Sequence, residues 1–374
     1  MNNRIFLSHA DINQKDITTI SDHLWELNSR TYGSKIDLFE NELSKLHKVP
    51  NVVAVSSGTA AIHLALMALK IGPGDNVVLP TLTFAATAFP ISYVGALPVF
   101  MDVDESSWTL DLNLLESYLN NCKKPNLPKL IISVDLFGRT CDYDQLFRIS
   151  DKFEIPVLID SAESLGSKYK DTYSASLGDI SILSFNFNKL ITTTGGGALL
   201  TGDAELAQAA RKLANQSREN VHWYEHNEIG YNYRMSSILA ALGLSQLERF
   251  AEIIEKRRKI RDIYNSELLN VQGVKVNMDS PWELSNAWLS TVTFDSNLYP
   301  NAKIEVRERL ERDNIESRYI WKPLHLQPIF AKSQVFLTGM AEKAYEQSLC
   351  LPSGNDLSSV NVKNICNVIK EVLK

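Results

Sequence analysis

Cysteine is scarce in this sequence of 374 residues: there are four, Cys122, Cys141, Cys350 and Cys366, and they stand far apart. No CxxC pair occurs, which argues against a zinc ribbon, and four thiols in so long a chain make a poor disulfide framework. Reduced, mostly buried thiols are the reading they support. No stretch approaches the ~20 apolar residues that span a bilayer. The opening Met-Asn-Asn-Arg-Ile-Phe-Leu-Ser-His also lacks the apolar core of a signal peptide. A cytoplasmic protein with no membrane partner is expected. Positive charge is short as well: 38 Lys and Arg against 44 Asp and Glu leave a net charge of -6. That argues against a nucleic-acid partner while allowing a local basic pocket for a phosphorylated substrate. There are no internal repeats and no low-complexity segments. What is present is 44% hydrophobic and 22% charged, enough to bury a sizeable core and to exclude disorder. The length suggests two domains.

Between about residues 50 and 202, short apolar runs alternate with helical patterns. The runs are 76–80, 97–101, 129–134, 156–159, 180–185 and 198–201, nearly continuous in Val, Ile and Leu. Helical patterns lie at 60–69 and 143–151. This alternation predicts an α/β fold with a mostly parallel sheet covered on both faces. After Thr201 the texture turns helical: 204–216, then one long amphipathic helix from 237 to about 269. The charge run at 255–261 reads as a solvated helix face. A smaller mixed α/β segment follows, with a strand-like 288–294 and helices near 305–313 and 360–373. The domain boundary is expected near residue 250, giving a large domain over 1–250 and a small C-terminal domain over 251–374.

Ligands in open α/β sheets bind at the carboxyl ends of strands. The run ending at Ile159 is followed by Asp160, which is either a helix N-cap or a carboxylate facing a ligand. Lys189 lies just past another strand, in Ser184-Phe185-Asn186-Phe187-Asn188-Lys189, ahead of a Thr192–Gly197 tail of threonine and glycine. Alone it would read as a solvated loop lysine. Ser56-Ser57-Gly58-Thr59 precedes a helix and suits either an ordinary cap or a phosphate at the helix N-terminus. The GK[ST] of a Walker A loop is missing, and Gly195-Gly196-Gly197 has no helix after it, so neither nucleotide fingerprint applies. Together, a phosphate cradle, a strand-end carboxylate and a loop lysine are what pyridoxal phosphate requires. The lysine holds the aldehyde and later moves a proton, and the carboxylate keeps the ring nitrogen protonated. Phe84 is placed to stack on the ring, or else packs in the core. His222 and His226 are spaced i, i+4, but with no HExxH pattern and no third ligand no metal site is expected.

At these residues the chain resembles the DegT/DnrJ/EryC1/StrS family of sugar-nucleotide aminotransferases. The similarity runs in order through Ser57-Gly58-Thr59-Ala60-Ala61-Ile62-His63, Asp160-Ser161-Ala162-Glu163-Ser164-Leu165-Gly166, the Lys189 segment, and Gly230-Tyr231-Asn232-Tyr233-Arg234-Met235. The resemblance implies a fold type I homodimer using pyridoxal phosphate, with Lys189 as the Schiff-base lysine and Asp160 as partner of the ring nitrogen. It places Glu163 near the ring hydroxyl, where glutamine is commoner. Gly58, Thr59 and Ser184 would bind the phosphate, and Asn232 would reach it from the neighbouring subunit, so that sites are shared. Related dehydratases carry histidine at the lysine position, so Lys189 implies amino transfer.

Asn186 and Asn188 resemble the subgroup that makes 4-amino-4,6-dideoxy sugars on UDP-N-acetylhexosamines. So do Ser217-Arg218-Glu219-Asn220, Trp288-Leu289-Ser290-Thr291, Glu316-Ser317-Arg318 and Trp321-Lys322-Pro323-Leu324-His325. The expected reaction takes the amino group of L-glutamate, releasing 2-oxoglutarate, to C4 of UDP-2-acetamido-2,6-dideoxy-hexos-4-ulose. Arg218, Arg234, Lys322 and His325 are candidates for holding the diphosphate. Departures from the subgroup at Arg30-Thr31-Tyr32-Gly33 and at Phe187 are expected near the substrate mouth. They keep dTDP-4-keto-6-deoxyglucose as an alternative substrate. A non-catalytic relative acting as a regulator is the alternative from another class, and the intact Lys189/Asp160 pair argues against it.

Overall fold

The structure, a computed structural model, describes residues 4–27 and 34–374. The strands in chain order are β1 (Asn51–Val55), β2 (Asn76–Pro80), β3 (Leu97–Met101), β4 (Leu130–Val134), β5 (Val157–Asp160), β6 (Lys168–Tyr169), β7 (Thr172–Tyr173), β8 (Ile180–Ser184) and β9 (Gly197–Thr201). Then come β10 (Val274–Val276), β11 (Glu283–Leu284), β12 (Ser290–Phe294), β13 (Arg318–Tyr319), β14 (Gln334–Phe336) and β15 (Ser348–Leu351). Eight of them form one sheet in the order β1-β9-β8-β5-β4-β2-β3-β14. Neighbours are parallel except where β9 pairs antiparallel with β1 and β8. The six apolar runs of the sequence are all strands of this sheet, within one residue at each end.

The helices that cover it are α1 (Gln14–Glu26), α2 (Ser34–His47), α3 (Gly58–Ala68), α4 (Ala85–Tyr93), α5 (Leu112–Asn121), α6 (Tyr143–Phe153), α7 (Ala204–Ala214) and α8 (Ser237–Leu247). One face packs α3, α4 and α7 onto the strands, with Ile62, Leu66, Ile91 and Leu213 against Val53, Leu79 and Leu199. The other face takes Phe39 of α2 and Ala240 of α8 against Leu183, and Leu115 of α5 and Leu146 of α6 against Ile131 and Ile159. Burial on both sides is why the strands carry no polar alternation. A second sheet, β10-β12-β15-β13, is antiparallel. It packs on α9 (Phe250–Leu268), α10 (Ala302–Arg312) and, after the short α11 (Met340–Gln347), on α12 (Ser359–Val372). From the same stretch of chain, β14 returns to the edge of the large sheet beside β3.

Two sequence expectations change. The long helix is two helices, broken at Arg249, whose φ of -100° and ψ of 3° leave the helical range. No glycine or proline causes this. Arg249 is drawn aside by Asp11 Oδ2 at 3.1 Å and Asp16 Oδ2 at 2.9 Å, both on the N-terminal segment. The charge run in α9 is also not wholly a solvated face, since Arg257 is fully buried and Arg261 nearly so. Both lie on the stripe of Ile253, Ile254, Ile260 and Tyr264 that faces the protein interior.

Candidate active site

At the carboxyl end of β5, the buried Val157-Leu158-Ile159 carries Asp160 into the interior. A turn follows, with no helix to cap. Instead Thr87 Oγ1 donates to Asp160 Oδ2 at 2.7 Å, and the Ala162 N–H donates to Oδ1 at 3.1 Å. The Thr83 and Thr87 hydroxyls lie 2.9 Å apart and extend the chain of bonds. Burial raises the Asp160 carboxyl above the usual aspartate value, against the pull of Thr87, Ala162 and the Lys189 charge.

Lys189 projects from the connection between β8 and β9. Its threonine–glycine tail satisfies its own backbone: Phe185 N–H donates to Gly196 O at 2.9 Å, Thr193 N–H to Phe185 O at 2.9 Å, and Thr194 N–H to Thr192 Oγ1 at 2.8 Å. The result is a closed loop with the lysine side chain turned into the protein, 14% accessible. Its Nζ lies 3.8 Å from Glu163 Oε1 and 4.1 Å from the centre of the Trp288 ring. Burial pulls the ammonium below the ordinary lysine value, while Glu163 and Asp160 oppose that shift. Glu163 is itself raised by burial, with the Lys189 charge acting against it. Its other oxygen accepts the Phe137 N–H at 2.7 Å.

The third element is the N-terminus of α3. Ser57 is its N-cap, accepting the Ala60 N–H at 3.0 Å. The first N–H groups, those of Gly58 and Thr59, have no acceptor within the helix. Two glycines let this end meet the sheet. A Cβ on Gly197 would fall 2.5 Å from the Gly58 nitrogen, and one on Gly58 would come 3.2 Å from the Ser184 Cβ.

These three elements line one cavity of about 460 Å³, together with Phe84, Glu163, Ser184 and the stretch Asn186-Phe187-Asn188. Phe84 is half exposed at the rim, 5.4 Å from Trp321 between ring centres. The remaining candidates lie elsewhere. Asn232 and Arg234 are exposed on the segment that bridges Asn215 and Val55. Arg218 is exposed, with its guanidinium over the Tyr224 ring. Lys322 points outward, and His325 engages Thr81 Oγ1 at 2.7 Å and Glu342 Oε1 at 3.0 Å through its two ring nitrogens. Arg30 and Tyr32 lie outside the described residues. Among the described residues no three His, Cys, Asp or Glu side chains converge as metal ligands would. None of their helices is long and apolar enough to cross a membrane.

Sequence reasoning missed Thr87, and it quoted Trp288, Arg318 and Trp321 only as segments without giving them a place in the site. All four line the cavity. The Thr83/Thr87 spacing of i, i+4 at the start of a helix was the available signal for the first.

The cavity fits pyridoxal phosphate. It offers an amine and a buried carboxylate at its floor, an aromatic face at its rim, and a helix N-terminus with unpaired N–H groups kept clear by glycine. A sequence profile described as the DegT/DnrJ/EryC1/StrS aminotransferase family matches residues 10–370. EpsN of Bacillus subtilis (strain 168), provisionally named a pyridoxal phosphate-dependent aminotransferase, is 39% identical over 99% of this chain and 96% of its own. GDP-perosamine synthase of Escherichia coli O157:H7 is 36% identical over 91% of this chain and 90% of its own. Among solved structures, the PLP-form of Spr1654 from Streptococcus pneumoniae, provisionally a sugar aminotransferase, superposes with a TM-score of 0.89 at 28% identity. That superposition covers 99% of both chains.

Proposed function

Because the chain belongs to the DegT/DnrJ/EryC1/StrS aminotransferase family, we infer that it moves the amino group of L-glutamate to C4 of a nucleotide-linked 4-keto-6-deoxy sugar, UDP-2-acetamido-2,6-dideoxy-hexos-4-ulose. It is a pyridoxal phosphate-dependent sugar aminotransferase. When bound, the cofactor supplies an electron sink beside the carbon that gains or loses a proton. The chain's own groups do the rest. Lys189 Nζ holds and moves the proton, and burial favours the neutral amine it needs for this. Asp160 would pair with the ring nitrogen, and Glu163 would lie toward the ring hydroxyl. Gly58, Thr59 and Ser184 would hold the phosphate, and Phe84 would cover the ring. The observation that carries this reading is the convergence of Lys189, Asp160 and the α3 N-terminus on one cavity.

The UDP sugar is favoured by Asn186 and Asn188 on either side of Phe187 at the cavity wall. A second reading takes a GDP-linked sugar, and the likeness to GDP-perosamine synthase supports it. The enzyme would work in the cytoplasm as a homodimer. Trp223, Tyr224 and Ile229 expose apolar surface on the segment that also carries Arg218 and Asn232, as a surface covered by a second copy would. From there Asn232 would reach the partner's phosphate, and Arg218 and Arg234 its diphosphate. The chain would divide near residue 250, where α8 gives way to α9.

The test offers the holoenzyme and L-glutamate the UDP, GDP and dTDP 4-keto sugars in parallel, with products read by mass spectrometry. Amination of the UDP sugar in clear preference is expected. Preference for the GDP or dTDP sugar would overturn the substrate and leave the chemistry standing. No glutamate-dependent change in the cofactor's absorbance would overturn the enzyme itself.

A further inference from the structure

Arg257 is a charged side chain with 0% exposure, in the part of α9 that the sequence presented as a solvated face. Burying a guanidinium is costly unless its donors are all met. Here each of its three nitrogens has one neutral acceptor: Nε has Asn355 Oδ1 at 2.8 Å, Nη1 has Trp288 O at 2.7 Å, and Nη2 has Ser8 Oγ at 3.1 Å. Burial pulls its pKa to about 10, against the charges of Asp11 and Asp356, and Asp11 reaches it only through Asn355, whose Nδ2 donates to Asp11 Oδ2 at 3.2 Å. Such an arrangement is a poor source of stability. It is a good source of geometry, because the planar fork fixes three acceptors at once.

Two of those acceptors lead to Lys189. Ser8 Oγ passes the contact on by donating to the carbonyl of Asn188 at 3.0 Å, one residue before the lysine. Trp288 Nε1 donates to the same carbonyl at 2.8 Å, and the Trp288 ring is the surface on which Lys189 Nζ lies. The segment from Asn286 to Trp288 is further tied to the Glu163 side of the cavity, where Asn286 Nδ2 donates to Glu163 O at 3.0 Å.

We propose that Arg257 is a positioning residue which, through Ser8 and Trp288, sets the lysine's backbone and the aromatic wall beneath its amine, a role that rests on Lys189 being the cofactor lysine. The arginine touches neither cofactor nor substrate. Its effect is on the angle and distance at which Nζ meets the reacting carbon, where displacements near 1 Å cost about 10²-fold.

Two variants of the holoenzyme test it, Ser8→Ala and Arg257→Lys. Ser8→Ala removes the relay hydroxyl and leaves the buried charge in place. It is expected to fold with a lowered melting temperature, because one donor of the buried guanidinium loses its acceptor, to shift the pH midpoint of the lysine–cofactor absorbance, and to slow the glutamate half-reaction roughly tenfold. Arg257→Lys, which cannot span three acceptors, is expected to slow it roughly 10²-fold with the same direction of spectral shift. A Ser8→Ala protein with wild-type midpoint and wild-type half-reaction overturns the proposal, whether or not the Arg257 variant folds. An Arg257→Lys protein that folds and matches wild type does so as well. Absence of a borohydride-reducible linkage at Lys189 in the wild type would instead sink the underlying reading.

Discussion

Thr87→Val tests the hydrogen bond that holds the Asp160 carboxylate. Valine keeps the volume and branching of threonine but loses the hydroxyl that sits 2.7 Å from Asp160 Oδ2. Both residues are buried, so water cannot replace the lost donor. A hydrogen bond to a charged group is worth about 1.5–3 kcal/mol, which is roughly 10- to 150-fold in the balance between ionised and protonated carboxyl. The Asp160 value already lies above the ordinary one through burial, and the substitution raises it further. A smaller fraction of Asp160 is then ionised at neutral pH, and on the proposed placement the ring nitrogen would lose its partner. The expected result is a slower glutamate half-reaction near neutral pH, with about two powers of ten as the upper bound set by the lost bond. The deficit narrows as pH rises and the carboxylate is restored. Stopped-flow absorbance of the holoenzyme across a pH series measures it, with Thr87→Ser as the control that keeps the hydroxyl. A Thr87→Val enzyme with the wild-type rate and pH limb would show that the Ala162 N–H alone holds the charge, and the reasoning would fail.

Lys189→Ala should fold, lose the borohydride-reducible cofactor linkage, and fall in turnover by about 10²–10⁴ or more; a retained covalent adduct in its mass spectrum would exclude Lys189. Glu163 is raised above its ordinary value by burial, so its contribution to apoprotein stability is full below the glutamate range and lost as pH rises through the folded value. Glu163→Gln should therefore raise the apoprotein melting temperature near pH 7 by roughly 1 °C, the effect of ~1 kcal/mol on a chain this long, with the gap closing toward acid pH. Parallel melting curves at every pH would count against it. If sites are shared, mixing inactive Lys189→Ala and Asn232→Ala proteins should restore roughly a quarter of wild-type activity through mixed dimers; no recovery after subunit exchange would place Asn232 outside the partner's site. Phe187→Gly should change the ratio of rates for the UDP and GDP sugars with little effect on the glutamate half-reaction, and an unchanged ratio would remove Phe187 from sugar selection.

The parts of the molecule legible in the sequence were those with local causes. Continuous Val, Ile and Leu runs announce strands buried on both faces, and Asp160, Lys189 and Gly58 drew notice because each lies at a strand end or within five residues beyond one. What escaped depends on residues far apart. Thr87 meets Asp160 across 73 positions, and no local pattern joins them. The break at Arg249 comes from Asp11 and Asp16, on a segment more than 200 positions earlier. Strand β14 is three residues long and takes its identity from β3 alone. Arg257 is the instructive case: its spacing from Ile253, Ile254, Ile260 and Tyr264 placed it on the apolar stripe, yet charge outweighed periodicity in the reading.

Strand β9 has a consequence for how the molecule comes into being. It joins β1 to the rest of the sheet, pairing Asn51 with Thr201 and Val55 with Gly197. The helix start at Gly58 cannot meet Ser184 and Gly197 until some two hundred residues of chain have been synthesised. Contacts this distant in sequence form slowly, because the intervening loop must be closed before they repay its entropy. The junction of the α3 N-terminus with Ser184 and Gly197, where the phosphate would sit, is thus assembled late in the making of the large sheet. Cofactor capture would report completed folding and could not template its early steps, so withholding the cofactor during synthesis should lower the yield of stable holoenzyme far more than it slows the collapse of the nascent chain.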